Sequence, residues 1–153
     1  MELREPKDLD RDLCPIVSAI SEIGDKWILL ILRESFIGAR RFDEFQENLQ
    51  VSKSVLSNKL NKMLDLELLQ KVSYKNPGER TRHEYRLTRK GKDLGKVIIS
   101  LLNWGNTYLL EEGKETIVIT DTAEFKPVGL ELVNSKGDKL KLRDTAIKVG
   151  RLK

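Results

Sequence analysis

Leu68–Thr88, LLQKVSYKNPGERTRHEYRLT, reads as a β-hairpin: a strand from Leu68 to Tyr74, a Pro-Gly tip, and a return strand from Glu84 to Thr88. Helical patterns stand on both sides of it. Before it, Ser52 to Leu66 places Leu56, Leu60, Met63 and Leu64 on one face, continued by Glu67. Ser54, Asn58, Asn61, Lys62 and Asp65 fall on the opposite face. After it, Thr88 caps a long helix running to about Leu110, with a stripe of Leu94, Val97, Ile98, Leu101, Leu102, Gly105, Tyr108 and Leu109. A hairpin held between two helices in this way leaves few architectures open.

The upstream segment narrows them further. Cys14-Pro15 opens a short helix through Ile23, with proline at an early position where its missing N–H does no harm. Gly24 breaks it, and Asp25 N-caps a helix from Lys26 to Ser35. The uninterrupted apolar run Trp27–Leu32 belongs at the centre of the fold. Gly38 turns the chain, and Arg40-Arg41 leads into a third helix over Asp43–Leu49 with Phe42 and Phe45 facing inward. Helices, a helix-turn-helix, a hairpin and a closing helix in this order predict an α+β fold, the winged helix-turn-helix. A charged arm (1–13) precedes this domain (14–112). A β-rich extension (113–153) follows, in which VGLELV and KLKLR flank the turn NSKGD as a second hairpin.

Charge points to the partner. Between Gln50 and Lys96 there are twelve Lys/Arg against five Asp/Glu, an excess of +7, so the rest of a chain of net charge +4 sums to −3. A local basic excess is the footprint of a polyanion. The hairpin tip gathers Lys75, Arg80, Arg82 and His83 against the single acid Glu79, placed to follow a phosphate backbone while the preceding helix enters a major groove. That helix presents Ser52, Lys53, Ser54, Ser57, Asn58 and Asn61 outward, small polar groups able to meet phosphates or base edges. A solvated surface helix is the bland reading. Arg40 and Arg41 divide between touching phosphate and bracing the hairpin. Arg89, Lys90 and Lys92 open the long helix, where cations oppose its dipole, which points to a nearby anion.

Other functions find little material. One cysteine (Cys14) and one histidine (His83) exclude a disulfide framework and a multi-cysteine zinc site. No nucleophile–base pair or phosphate loop is visible, so an enzyme is not expected, and no cofactor. No apolar run approaches the ~20 residues of a membrane span. The charged N-terminus lacks the apolar core of a secretory signal, which predicts a cytoplasmic chain with no membrane partner. Trp27 and Trp104 are read as core or subunit-interface residues. The alternative to nucleic-acid binding is a protein–protein adaptor that uses a winged helix without DNA.

The pieces also resemble, in order, the HxlR-type (MarR-like) winged-helix transcriptional regulators. They are Cys14-Pro15, IGDKWILLILRE (Ile23–Glu34), a glycine then RRFDEF (Gly38, Arg40–Phe45), SKSVLSNKLNKMLDLELLQK (Ser52–Lys71) and EYRLTRKG (Glu84–Gly91). The resemblance implies a homodimer that controls transcription from palindromic double-stranded DNA operators; a dimer bound near a promoter would obstruct polymerase, so repression is expected over activation. Many relatives carry a paired-cysteine turn in a C-terminal extension. Here Asn134 and Gly137 stand near that turn without a cysteine, so zinc is not supported there. Several relatives use the cysteine of the Cys-Pro opening as a redox or electrophile sensor. Cys14 is therefore either such a sensor, responding to an oxidant or small-molecule effector, or a buried small hydrophobe.

Overall fold

The computed structural model describes residues 14–75, 78, 81–115 and 117–146. They fall into two compact units. The first spans Ile20–Leu102 and contains the helix-turn-helix and the hairpin. The second joins the described residues before Ile20 to those after Leu102.

In chain order the elements are α1 (Pro15–Ile23), α2 (Lys26–Ile37), α3 (Phe42–Leu49), α4 (Lys53–Asp65), β1 (Leu69–Tyr74), β2 (Arg82–Leu87), α5 (Arg89–Asp93), α6 (Gly95–Tyr108), β3 (Leu132–Val133) and β4 (Lys139–Leu140). This is the winged helix-turn-helix that the sequence predicts. Local chemistry sets its joints. Asp25 Oδ1 accepts the N–H groups of Trp27 (2.9 Å) and Ile28 (3.4 Å), satisfying two orphan donors of α2. That helix ends at Gly38, which adopts φ 116° and returns its N–H to the Glu34 carbonyl. Ser52 caps α4 through Val55 N–H.

Three helices and the hairpin share one core. Ile28, Ile31 and Leu32 of α2 meet Phe45 of α3 and Leu56, Leu60 and Met63 of α4, with Leu68, Leu69 and Tyr85 closing it from the hairpin. The Phe45 and Tyr85 rings meet edge to face at 6.4 Å. Trp27, Phe42 and Leu64 are half-buried against this cluster. Glu34, the one buried acid among the described residues, is satisfied by Arg33 on one oxygen and by Asn48 Nδ2 at 2.8 Å on the other. β1 and β2 pair antiparallel from Leu69↔Leu87 to Tyr74↔Arg82, so the return strand begins two residues earlier than expected. A third segment joins them, because Tyr85 N–H donates to the Arg40 carbonyl at 2.7 Å.

Two expectations need correction. The helix expected from Thr88 to Leu110 is two helices broken at Leu94. Thr88 caps only the short α5, donating to the Glu67 carbonyl (2.6 Å) while accepting from Gly91 N–H (3.1 Å). Leu94 N–H folds back to the Gly91 carbonyl at 3.2 Å, and α6 starts again at Gly95, where a Cβ would lie 3.2 Å from the Phe36 ring. The extension also holds less strand than its alternation suggests. VGLELV and KLKLR pair only over Leu132↔Leu140 and Val133↔Lys139. Upstream, Asp121 draws the N–H groups of Ala123, Glu124 and Lys126 onto its carboxylate, which makes a turn where the pattern suggested a strand. The NSKGD turn does form. Asn134 Oδ1 accepts from Lys136 and Asp138 N–H, and Gly137 takes φ 88°. Trp104 is exposed and leans on Tyr108, with ring centroids 5.7 Å apart.

Candidate nucleic-acid interface

α4 buries Leu56, Leu60 and Met63 and leaves Ser52, Lys53, Ser54, Ser57, Asn58 and Asn61 exposed. Ser52 and Ser54 exchange a hydroxyl contact at 3.2 Å beside the cap. Lys53, Ser57, Asn58 and Asn61 make no side-chain hydrogen bond among the described residues. The helix thus offers one face of unspent donors and acceptors while its other face is fixed in the core.

Its orientation is fixed by a contact that sequence reasoning missed. Lys59 Nζ lies 2.7 Å from Asp25 Oδ2, tying α4 to the N-terminus of α2. That hydrogen bond is the main cause holding the Asp25 carboxyl below its ordinary value, with the Trp27 N–H adding to it. Lys59 is therefore a strut, not a free cation of the surface.

The Arg41 guanidinium lies 5.2 Å from the centroid of Tyr74 in β1, bracing the wing. The Arg40 side chain is exposed, while its backbone carbonyl holds β2. Glu44 accepts both their N–H groups, at 2.8 and 2.9 Å, and these bonds keep its carboxyl below the usual range. Glu84 is also held low, first by the Arg86 hydrogen bond at 2.7 Å. His83 shares a contact with Ser73 across the hairpin at 3.1 Å.

In the wing, Lys75 and Arg82 are exposed. Arg80 lies outside the described residues. Of the cations around α5, Lys90 donates to the Leu66 carbonyl at 2.8 Å, so it caps the end of α4, and no external anion is needed to explain it. Cys14 is half-buried, directly before α1, and its carbonyl accepts the N–H of Ser18.

The model of the HxlR-like helix-turn-helix matches residues 22–113. The HTH-type transcriptional regulator MT3179 of Mycobacterium tuberculosis (strain CDC 1551 / Oshkosh), itself uncharacterized, is 44% identical over 91 residues. The match takes in 60% of this chain and 56% of that protein, so the chain spans little more than half the length of this relative. The crystal structure of PA1607, a candidate transcription factor, superposes with a TM-score of 0.78 at 28% identity, covering 89% of this chain and 94% of that one. The transcriptional regulator YodB of B. subtilis, in its reduced form, is 26% identical with a TM-score of 0.54, over 63% of this chain and 94% of its own. The same protein has been solved after diamide treatment. Sequence, fold and relatives agree: this chain belongs to the HxlR-like helix-turn-helix family and carries its winged helix-turn-helix domain.

Proposed function

We propose that the protein acts in the cytoplasm as a homodimer on a palindromic operator, with α4 in the major groove and the hairpin on the flanking backbone. The observation that carries this reading is the exposed face Ser54–Ser57–Asn58–Asn61. The side chains of Ser57, Asn58 and Asn61 are unspent among the described residues, on a helix anchored by three buried side chains and the Lys59–Asp25 pair. Asn58 and Asn61 read base edges; Ser52, Lys53, Ser54 and Ser57 position the helix on phosphates. Arg40, Lys75, Arg80 and Arg82 add backbone contacts, while Arg41 holds the wing in place.

The dimer reading rests on α6. Val97, Leu101, Trp104 and Tyr108 are exposed and recur at helical spacing along one side of it. Ile16, Val17 and Ile20 of α1 are exposed as well. Apolar surface of this kind is covered by a second copy. Two α4 helices about 34 Å apart then meet successive major grooves of one duplex face. A dimer seated over a promoter obstructs polymerase, which makes repression the expected outcome. Cys14 gives the regulator an oxidant or electrophile input. This is supported by its position at the start of α1 and by the relative YodB, which has been solved both reduced and diamide-treated.

Two substitutions test the assignment of reading and positioning. Asn58→Ala should weaken operator binding by about 1–3 kcal/mol and leave random-sequence DNA nearly unaffected. Arg82→Ala should weaken both alike and lower the salt slope by roughly 1. Equal losses on operator and random DNA for Asn58→Ala would remove α4 from its reading role.

A further inference from the structure

Behind the wing, the first unit contains a half-open cleft of about 360 Å³, within the range of small-molecule sites. Ser35, Arg40, Gln70, Tyr85, Arg86 and Lys92 line it. These residues come from α2, the turn before α3, both hairpin strands and α5. Ser35 is spent, since its hydroxyl donates to the Ile31 carbonyl at 2.8 Å. Arg86 is half spent on Glu84, 2.7 Å away. By contrast, the Arg40 guanidinium, the Lys92 ammonium and the Gln70 amide make no hydrogen bond among the described residues.

Three cations from three different segments line one cavity. Glu84 engages Arg86 and Glu44 lies near Arg40, so two carboxylates offset part of their charge and the excess that remains is positive, which suits an oxyanion. Arginine's planar fork pairs bidentately with oxyanions, and lysine serves as a point charge beside it. We propose that this cleft binds a phosphate group, carried either by a phosphorylated small molecule or by the DNA backbone. The site lies apart from the outward face of α4. It is coupled to the interface through Arg40, which lines the cleft and whose carbonyl holds β2 through Tyr85 N–H at 2.7 Å.

The test starts with the full chain free of DNA, so it does not depend on operator binding. Inorganic pyrophosphate is titrated against a sodium chloride reference of equal ionic strength and followed by amide chemical shifts. Saturable shifts are expected at Gln70, Tyr85, Arg86 and Lys92. Lys92→Gln and Arg86→Gln, both at exposed positions, should each bind about tenfold more weakly. Their spectra elsewhere report whether the fold is intact. Unchanged affinity in both variants would overturn the proposal. So would shifts centred on Ser57, Asn58 and Arg82, because the anion would then be reading only the general basic surface. A second arm identifies the source. If the phosphate belongs to DNA, Lys92→Gln lowers duplex affinity in the absence of pyrophosphate. If it belongs to a small molecule, Lys92→Gln leaves that affinity unchanged but abolishes the weakening of DNA binding that pyrophosphate causes in the parent.

Discussion

Asp25 bonds to two helices at once: Oδ1 caps α2 through Trp27 N–H at 2.9 Å, and Oδ2 receives Lys59 Nζ of α4 at 2.7 Å. One carboxylate therefore starts one helix of the helix-turn-helix and orients the other. Asp25→Ala loses a cap, worth about 1 kcal/mol, and a partly exposed ion pair worth up to about 1 kcal/mol. Lys59→Met should cost less, because the cap survives. A double-mutant cycle by thermal or urea unfolding isolates the pair, and no coupling between the two substitutions would show that the pair contributes nothing to stability.

The same residue sets a response to acid. Asp25 and Glu44 are both held below their ordinary values of 3.8 and 4.5 in the folded chain. Depressed carboxyls stabilise the fold in full above those values, and the contribution is lost as pH falls through the folded pKa values. Melting temperature should thus decline as pH falls below about 5. Asp25→Asn keeps a good cap residue but no longer titrates, so its curve should be flatter than the parent's in that range. A parallel decline in parent and variant would clear Asp25 of any part in it.

Arg41 lies over Tyr74 and should act on DNA through the wing. An exposed cation–π contact contributes about 0.5–1 kcal/mol. Arg41→Ala and Tyr74→Leu should therefore destabilise modestly, speed amide exchange in β1 and β2, and weaken operator and random DNA to the same degree. Hydrogen exchange reads the first effect and filter binding the second. Unaltered hairpin exchange in both variants would make Arg41 a direct phosphate contact instead of a brace.

Gly91 is required by closeness. A Cβ there would sit 2.1 Å from the Leu68 carbonyl oxygen and 3.0 Å from Leu87 Cδ2. That carbonyl already accepts Thr88 N–H at 3.1 Å, so it cannot move without breaking the joint between hairpin and α5. Gly91→Ala should cost about 1–3 kcal/mol, as overpacking does, measured by denaturant unfolding. A neutral result would mean that α5 is free to shift.

The parts of this architecture readable from sequence are those with a local cause. The face of α4 follows from helical spacing, the α2 cap from Asp25, and the turn of the second hairpin from Asn134 and Gly137. The break at Leu94 was hidden because the apolar stripe Leu94, Val97, Ile98 and Leu101 continues across it at helical spacing. The outward face of the recognition helix was legible as a set of residues. The employment of the cations was not. Lys59 and Lys90 look like any other basic residue until Asp25 and the Leu66 carbonyl are brought beside them. The turn at Asp121 was not legible, because whether an aspartate there gathers backbone N–H groups or leaves them to a partner strand is not decided by the local sequence.

Cys14 provides the last prediction. Its thiol is half-buried immediately before α1, whose exposed Ile16, Val17 and Ile20 belong to the proposed dimer surface. The chain has no second cysteine. Oxidation by diamide must therefore join Cys14 to its counterpart in the other subunit or to a small thiol. In either case two thiols lose two protons and two electrons to form one S–S bond, and diamide is reduced to its hydrazine. A bond or adduct at that position would turn one subunit against the other and spoil the match between the two α4 helices and the half-site spacing. Diamide should then lower operator affinity, with reversal by dithiothreitol. Cys14→Ser should bind the operator like the reduced parent and ignore diamide. Non-reducing electrophoresis separates the two routes, since the cross-link doubles the chain mass and the adduct does not. Operator binding that is indifferent to diamide in the parent would leave Cys14 a small packing residue and place the regulator's input elsewhere.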